Sequence, residues 1–449
     1  MSQNIVLKKG LNIPVAGAAD LRVSKSATPG VVAIQPSDFK GFIPRLLVKE
    51  GDRVLAGSPV LADKMHSEII FASPVSGTVK EVVRGEKRKL LAVLIEDDRK
   101  NEYVDFGKIK AGDAAQVKES LLASGLWPFF VQRPYGILAN PELTPKAIFV
   151  SAFDTAPLAA DAQFCFADAV ADIQAGINVL SKIAEVHVSL NAGISGDIFS
   201  NLSSCTLHSF KADKHPAGNV GVQISHVSPI RKDETVWTIS LLGLAAIGKL
   251  ARTGRYDVSR KVAVCGPASK DASYIQTVPG MPMSEVLPFC NIPVEEVRFI
   301  SGSVLCGANA GKDGYLGFRD NQITLIREGY DKELLGWIRP VRCKQYSQDH
   351  SYFSWLMPKR KYNMDTNLHG GPRAFLMNDG YYAKVLPMDI YPVFLAKACL
   401  AGDIDKMEQF GIYEVLPEDL ATCEFVDPSK NNIQDMIAQG IDLMLKEMA

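Results

Sequence analysis

Three aromatic side chains and two hydrogen-bond donors stand close together near the middle of the first half of the chain. The rings are Trp127, Phe129 and Phe130, and the donors are Gln132 and Arg133. Rings offer stacking surfaces and the amide and guanidinium groups offer donors, so the set suits a flat, apolar ligand that carries carbonyl oxygens. The same proline-containing loop is equally suited to packing into its own core or to covering a partner surface. All three interpretations stay open from these residues alone.

Other residues with catalytic or ligand-binding chemistry form no recognised constellation. The eight cysteines are scattered singly, without a Cys-x-x-Cys pair, which argues against zinc, ferredoxin-type clusters and thioredoxin chemistry. His208 and His215 suggest a shared metal, but the lysines between them favour structural roles. The run from Gly243 to Leu250 nearly matches a phosphate-binding loop, yet Leu250 stands where a hydroxyl must reach magnesium. We predict no catalytic residue and no metal site.

Composition excludes some classes of function. The chain has 449 residues, with 49 Lys and Arg against 50 Asp and Glu, and a net charge of -1. Such a balance gives no general attraction to nucleic acid. The amino terminus shows no signal-peptide pattern, and the longest apolar run, Ile239 to Ile247, is far shorter than the ~20 residues that cross a bilayer. We expect a protein of several domains that stays in a reducing cytosol.

The elements that must position these residues begin with a β-rich stretch from Gly41 to Gly85. Apolar residues alternate there in short runs closed by glycine turns, which is typical of half-buried strands. The pattern V-x-E-G-D-x-V-x-x-G followed by S-P-V-x-G-x-V resembles the barrel-sandwich module of biotinyl and lipoyl carrier domains. Those carriers have a lysine at the hairpin tip, where this chain has His66 or Ser67, and Lys64 lies off the tip. We predict a carrier-like fold without the attachment residue.

The rest of the chain divides by its hydrophobic periodicity. Residues 1–100 hold the N-terminal β region and the sandwich, and residues 1–40 are expected to add an edge to that sandwich. Residues 101–258 alternate strands and helices, which predicts a Rossmann-like α/β domain with a parallel sheet. Residues 259–330 predict a β-grasp domain of the SLBB-like type, and residues 331–449 an irregular segment followed by a helical domain. The predicted fold class is multidomain, α/β and α+β.

The periodicity also places individual elements. Apolar residues recur at helical spacing in some stretches and in short continuous runs in others. We predict helices over residues 169–184, 244–252, 391–401, 404–410 and 433–448, and strands over residues 146–152, 185–191 and 236–242.

Several long segments resemble one family. They are KKGLNIPVAG, LLASGLWPFFVQRP, AIFVSAFDTAPLAAD, HPAGNVGVQISHVSPI, RFISGSVLCGANA, YLGFRDNQITLIREGYDKELLGW and LPMDIYPVFLAKACLAGD. In this order, and over nearly the whole chain, they are similar to the A subunits of the sodium-translocating NADH:quinone oxidoreductases, the bacterial respiratory sodium pumps. The resemblance implies membership of a translocase that couples NADH oxidation and quinone reduction to sodium export.

That family is related to the FMN- and NADH-binding subunit of respiratory complex I and to the C subunit of the Rnf complex. In those relatives Ser-Gly-Leu precedes a glycine-rich loop whose backbone amides cradle the flavin phosphate. Here Ser124, Gly125 and Leu126 are followed by Trp127 and further bulky residues, which implies that FMN does not bind there. The cysteine-rich ending of the Rnf protein is reduced to Cys423, and one thiolate cannot hold an iron–sulfur cluster. The chain itself is expected to bind no cofactor.

The resemblance implies a peripheral subunit on the cytoplasmic face of the bacterial inner membrane. Its expected partners are other subunits of the pump, chiefly the membrane-embedded B subunit and the C subunit, which would supply the flavins, the iron–sulfur centre and the sodium path. Docking, and a quinone site, are the roles left to this chain. The implied quinone site comprises Trp127, Phe129, Phe130, Gln132 and Arg133. The aromatic and then basic segment from Tyr352 to Lys361 is expected to pack on a partner or on the membrane surface.

Two other classes of function are kept as alternatives. A biotin- or lipoyl-type carrier component would show a modified Lys64 by intact mass. A stand-alone NADH–flavin dehydrogenase would be yellow when purified.

Overall fold

The computed structural model describes residues 2–26, 29–109, 112–331, 345–347, 353–367, 376 and 379–448. Most of the irregular segment that was predicted to begin at residue 331, and Tyr352 with it, lies outside the described residues. Within these ranges twenty strands form four sheets. None of the helices described is long and apolar enough to cross a membrane.

The predicted N-terminal sandwich is confirmed. Two strands, β1 (Asn4–Val6) and β2 (Asp20–Ser26), precede it. The sandwich strands are β3 (Val31–Ile34), β4 (Pro44–Leu46), β5 (Arg53–Val54), β6 (Pro59–Asp63), β7 (Ile70–Ala72), β8 (Gly77–Arg84) and β9 (Leu90–Asp97). They form two antiparallel sheets with the orders β3-β9-β8-β5 and β4-β6-β7. Alternate side chains such as Val79, Val93 and Ile95 are buried in the core, as the period-two pattern predicted.

An α/β domain follows, as predicted. Its elements are α1 (Ala114–Ala123), β10 (Val131–Arg133), β11 (Ile137–Leu138), β12 (Ile148–Ser151), α2 (Ala162–Cys165), α3 (Val170–Leu180), β13 (Val186–Asn191), β14 (Thr206–Lys211), α4 (Val220–Val227), β15 (Val236–Thr238) and α5 (Leu241–Thr253). The sheet order is β1-β14-β13-β12-β15-β10-β11, and β12 pairs in parallel with both β13 and β15. The strand predicted over residues 236–242 ends earlier because Ser240 caps α5, accepting a hydrogen bond from the Gly243 amide.

The third region has the β-grasp-like architecture that the sequence predicted. Its strands are β16 (Arg260–Cys265), β17 (Ser273–Thr277), β18 (Val297–Ser301), β19 (Ala308–Asn309) and β20 (Gln322–Arg327). A 3-10 helix over Met283–Phe289 covers one face of the sheet and buries Met283 and Val286.

The structure describes five C-terminal helices: α6 (Asp379–Val385), α7 (Pro392–Ala401), α8 (Ile404–Gln409), α9 (Ala421–Val426) and α10 (Ile433–Met448). α7, α8 and α10 agree closely with the predicted helices, whereas α6 and α9 were not predicted. In α10 the side chains of Ile433, Ile437, Ile441 and Met444 are buried along one stripe, so the helix is held by its apolar face.

The first forty residues do not simply extend the sandwich, and that expectation was wrong for two of their three strands. β1 pairs in parallel with β14 at the edge of the α/β sheet, and β2 pairs in parallel with β17 at the edge of the β-grasp sheet. Only β3 joins the sandwich. At Gly17, between β1 and β2, φ is +89° and a Cβ would lie 2.3 Å from the Gly266 carbonyl oxygen. A glycine is therefore required where the chain crosses from one domain to the next.

The sandwich and the α/β domain share one apolar core. A continuous cluster of buried residues runs from Phe71 in β7 through Trp127 to Trp237 in β15. Gly125 has φ of +72°, and a Cβ there would lie 2.6 Å from the Ala72 Cβ, so the end of α1 lies directly on β7. This junction fixes the position of the aromatic segment that follows Gly125.

Candidate functional site

The aromatic segment is a 3-10 turn over Trp127–Phe129 that leads into β10. The Trp127 indole is fully buried, and its Nε1 donates a hydrogen bond of 2.7 Å to the Ala139 carbonyl. Its ring centroid lies 5.1 Å from that of Phe130 and 5.3 Å from that of Trp237. Trp127 and Phe130 are thus satisfied core residues in this arrangement.

The two predicted donors are also buried and engaged. The Gln132 side-chain oxygen accepts a hydrogen bond of 3.1 Å from the Asn140 amide. The Arg133 guanidinium donates to an Asp419 carboxylate oxygen at 2.9 Å and to Glu418 at 3.0 Å. Burial alone would lower the pKa of Arg133, but the two carboxylates raise it above its usual value, so the guanidinium stays charged. Arg133 therefore fastens the α/β domain to the C-terminal helical region.

Phe129 differs from its neighbours because it borders a cavity of about 330 Å³. The cavity lies at the carboxyl ends of β12 and β15, where Ser151 and Thr238 line it. From β12 the sheet continues through β13 and β14 on one side and through β15 and β10 on the other. Ligands of open α/β sheets bind at such a reversal of strand order. Of the five predicted site residues, the structure brings Phe129 alone to the cavity wall.

Polar groups from two domains converge on the cavity. Asn219 and Ser240, which precede α4 and α5, line it from the α/β domain. Arg319 and Asn321 line it from the β-grasp side, and Asp154 contributes a carboxylate. The apolar wall comprises Phe129, Val131, Phe153, Phe166, Ile239 and Leu242, among others. The cavity thus combines aromatic surfaces with a few polar groups, as small-molecule sites do.

Arg319 is the strongest donor at the cavity. One of its terminal nitrogens donates to the Pro128 carbonyl at 2.6 Å, and no carboxylate of the described residues lies within ion-pair distance. Burial lowers the pKa of Arg319 to about 10, while nearby Asp38 and Asp320 act in the opposite sense. Burial also raises the pKa of Asp38 to about 6. Arg319 remains a cation at neutral pH, and its Nε atom has no hydrogen-bond partner in the described part of the chain.

Sequence reasoning missed Asn219, Arg319 and Asn321. Asn219 lies 90 residues or so after the aromatic segment, and Arg319 a further hundred, so only the folded chain brings them together. The one local signal was the Gly218-Asn219 pair directly before a helical pattern, which is typical of a helix N-cap.

The histidines and cysteines form other arrangements. The buried rings of His187 and His208 meet on neighbouring strands, with Nδ1 and Nε2 3.0 Å apart, and His215 lies beside Thr155. His208 and His215, considered together from the sequence, therefore have separate neighbours. Among the described residues no three His, Cys, Asp or Glu side chains are grouped as a metal site. Cys423 is a buried free thiol in α9, and burial raises its pKa.

The tip of the β6–β7 hairpin has the carrier-like shape without a central lysine. Asp63 ends β6, and its carboxylate accepts a hydrogen bond of 3.1 Å from the Met65 amide. Met65 is the most exposed apolar residue at the tip, at 71 %. Lys64 donates its backbone amide to the Ile43 carbonyl at 2.9 Å, which holds it at the base of the turn.

The architecture defines a class of protein: a multidomain α/β protein in which a barrel sandwich, a doubly wound domain and a β-grasp domain share one chain. Three family models describe these parts as the NqrA N-terminal barrel-sandwich hybrid domain over residues 5–98, the NqrA second alpha/beta domain over residues 112–256, and the NQRA C-terminal domain over residues 261–312.

Full-length relatives agree with these models. The chain is 37% identical over 453 residues to the A subunit of the Na(+)-translocating NADH-quinone reductase of Pasteurella multocida, covering 99% of this chain and 100% of the relative. It is 35% identical over 452 residues to the A subunit of the same reductase from Neisseria meningitidis, again with 99% and 100% coverage. The chain belongs to the family of A subunits of the Na(+)-translocating NADH-quinone reductases.

Proposed function

We propose that this chain is the peripheral A subunit of a complex that oxidises NADH, reduces quinone and exports sodium. The observation that carries the proposal is the likeness to named A subunits over 99% of this chain and 100% of the relative. The partners would be the membrane-embedded B subunit and the C subunit, at the cytoplasmic face of the inner membrane, where NADH is supplied.

Within that complex the chain would bind no flavin or iron–sulfur centre of its own. The segment that follows Gly125 is filled by Trp127 and Phe130, whose rings are buried in the shared core, and the Phe129 and Phe130 amides bond to backbone carbonyls of the same turn instead of facing a phosphate. Flavins, iron and sodium would then belong to the other subunits, and this chain would contribute docking surfaces and a quinone contact.

The quinone contact is best supported at the cavity beside Phe129. A quinone headgroup is flat and apolar with two carbonyl acceptors, and the cavity offers Phe129 and Phe166 as aromatic walls. Arg319 and Asn321 offer donors for the carbonyl oxygens. One terminal nitrogen of Arg319 already donates to the Pro128 carbonyl, and the guanidinium has further N–H groups that a quinone carbonyl could accept from. The remaining predicted residues, Trp127, Phe130, Gln132 and Arg133, would support this wall from behind.

Affinity purification of this chain from its native membranes tests its assignment to the pump. We expect the other subunits to co-purify and the preparation to show sodium-stimulated quinone reduction by NADH. Recovery of the chain alone from the soluble fraction, with no such activity in any fraction that contains it, would contradict the proposal.

The quinone contact is tested in the same complex with Arg319→Gln. Loss of a charged donor is worth about 1.5–3 kcal/mol, so the Michaelis constant for quinone should rise at least ~10-fold while that for NADH stays unchanged. Arg319→Lys should recover part of the effect because it keeps the charge. Arg252→Gln, which removes an exposed arginine on α5 that pairs with Asp172, is the matched control. Equal Michaelis constants for Arg319→Gln and the control would contradict the proposed contact between Arg319 and the quinone.

A further inference from the structure

A short surface segment carries apolar and basic side chains side by side. Residues Phe353–Leu356 form a 3-10 turn in which Phe353, Trp355 and Leu356 are 45 %, 49 % and 60 % exposed. Three consecutive cations, Lys359, Arg360 and Lys361, follow after two residues. Large apolar side chains that are this exposed and this close together mark a surface that contacts another protein or a membrane.

The segment is fastened to the protein at two points, so the exposed side chains are held outward. Ser354, between the exposed residues, is 4 % exposed, and its carbonyl accepts hydrogen bonds from the Met357 amide and the Tyr362 hydroxyl. Tyr362 is also buried, and its backbone bonds to Pro14 and Ala16 at 2.8 and 2.9 Å. Trp355 and Leu356 therefore lie between two anchored residues, and Phe353 directly precedes the first of them.

The three cations have no carboxylate partner in the described part of the chain. None of the ion pairs among the described residues involves Lys359, Arg360 or Lys361, although Arg360 lies over the Tyr362 ring at 5.6 Å. Between residues 353 and 367 the one acidic side chain is Asp365, so this stretch carries a net positive charge in a chain whose total is -1. The local charge is thus suited to an anionic surface.

We propose that this segment contacts the surface of an anionic lipid bilayer. Phe353, Trp355 and Leu356 would enter the headgroup region, and Lys359 to Lys361 would lie along the lipid phosphates. Lysine is depleted at protein–protein interfaces, whereas tryptophan beside lysine and arginine is typical of membrane–water interfaces. The inference deepens the proposed function, on which it rests for the presence of a membrane.

Binding of the full-length chain to vesicles tests the proposal. We expect binding to vesicles rich in phosphatidylglycerol, much weaker binding to phosphatidylcholine vesicles, and a loss on adding salt. The double variant Lys359→Gln/Lys361→Gln should lower partitioning by about fivefold for each charge removed. The double variant Arg99→Gln/Lys100→Gln removes the same charge from an exposed turn elsewhere and is the matched control. Equal losses in the two double variants would overturn the proposal, because they would reflect total charge alone.

Insertion of the apolar residues has a separate readout. The fourth tryptophan, Trp337, lies outside the described residues, so the test is made in a Trp337→Phe background. Of the three remaining, Trp355 is half exposed whereas Trp127 and Trp237 are fully buried, so lipids with brominated acyl chains should quench the emission of Trp355 selectively. Quenching should disappear in Trp355→Phe, and Trp355→Ser/Leu356→Ser should lower partitioning at least tenfold. Quenching that is the same with and without Trp355→Phe in that background would overturn insertion by this segment.

Two outcomes separate this proposal from the assignment to the pump. If wild type does not bind vesicles but Trp355→Ser/Leu356→Ser weakens co-purification of other subunits, the segment docks on protein and the lipid assignment is overturned. If vesicle binding depends on the segment while none of the other pump subunits is recovered with the chain from native membranes, the lipid contact stands and the assignment to the pump fails.

Discussion

Trp127 is of a residue type that is common in ligand sites, but its surroundings are those of a core residue. Its indole is fully buried against Phe130 and Trp237. We therefore expect Trp127→Ala to lower the free energy of unfolding by ~3–5 kcal/mol, as for other large-to-small core changes. Thermal melting of the purified chain measures this loss. The Michaelis constant for quinone, per folded complex, should remain near that of wild type.

Trp127→Phe is the control that separates packing from hydrogen bonding. It keeps an aromatic ring but leaves the Ala139 carbonyl without its donor at 2.7 Å, which should cost ~1–3 kcal/mol. A quinone Michaelis constant raised tenfold in both variants, with melting unchanged, would show instead that the indole touches the quinone.

The buried pair His187 and His208 should make stability depend on pH. Burial, and then the neighbouring His187, lower the pKa of His208 to about 4, and burial lowers that of His187. Since the rings titrate near ~6.5 in the unfolded state, the unfolded state binds more protons than the folded state when the pH falls below that value. The contribution of His208 is fully present above that value and is lost as pH falls toward 4. The melting temperature should therefore fall on acidification.

His208→Gln is the variant that isolates this effect. The raised pKa of Asp38 acts in the opposite direction, since a protonated Asp38 favours the folded state at low pH. That contribution is common to both proteins and cancels in the difference. The melting temperature of His208→Gln should vary less than that of wild type between neutral and acidic pH. Parallel pH profiles would contradict the assignment.

Residue types alone identified the aromatic segment but not what its side chains contact. The five predicted residues do lie together, yet Trp127 bonds to Ala139, and Arg133 pairs with Asp419 across 286 residues of sequence. Contacts over such separations are set by the whole fold. The quinone site therefore stays a prediction at Phe129 and its cavity.

At the scale of elements, periodicity predicted helices better than strand partners. The predicted bounds of α10, residues 433–448, match the observed helix at both ends. Apolar residues that recur every three or four positions can be recognised within the segment itself, without knowledge of the rest of the fold. The strands that pair with β1 and β2 were not predicted, because the sequence of an edge strand does not indicate which sheet it joins. The near match to a phosphate-binding loop belongs to α5, where Gly248 serves helix packing.

Gly248 gives a prediction at this scale. A Cβ there would lie 1.6 Å from the Asp172 carbonyl oxygen in α3, which is backbone and cannot rotate away. Although alanine favours helices by ~1 kcal/mol over glycine, we expect Gly248→Ala to destabilise the protein by ~1–3 kcal/mol because α3 and α5 must separate. Thermal melting measures the sign of the change.

Gly380 in α6 is the matched control for Gly248. Among the described residues no atom lies within 4 Å of the position that a Cβ would take there, so Gly380→Ala, in the first turn of α6, should stabilise slightly, by up to ~0.5 kcal/mol, through propensity alone. Opposite signs for the two substitutions are expected. Stabilisation by both would show that α3 and α5 can be pushed apart at little cost.

At the scale of the whole molecule, the domains are joined by structure that crosses their sequence boundaries. One apolar cluster spans the sandwich and the α/β domain, and Arg133 pairs with Asp419 between the α/β domain and the helical region. The sequence predicted the class of each domain from its own periodicity. It could not predict the shared core or the ion pair between domains, because both depend on surfaces that exist only after each domain has formed.

The N-terminal strand provides the last test, because β1 completes a sheet that belongs to another part of the chain. The Leu7 amide donates to the Lys211 carbonyl at 3.1 Å, and alternate amides of a strand face the same way, so the Ile5 amide faces β14 and the Val6 amide faces away. Ile5→Pro removes an amide that the sheet uses and should cost ~1–3 kcal/mol, whereas Val6→Pro should cost much less. We expect amide exchange to rise at β14 in Ile5→Pro while the sandwich strands stay protected. Faster exchange in the sandwich, with β14 unchanged, would mean that β1 belongs to the sandwich after all.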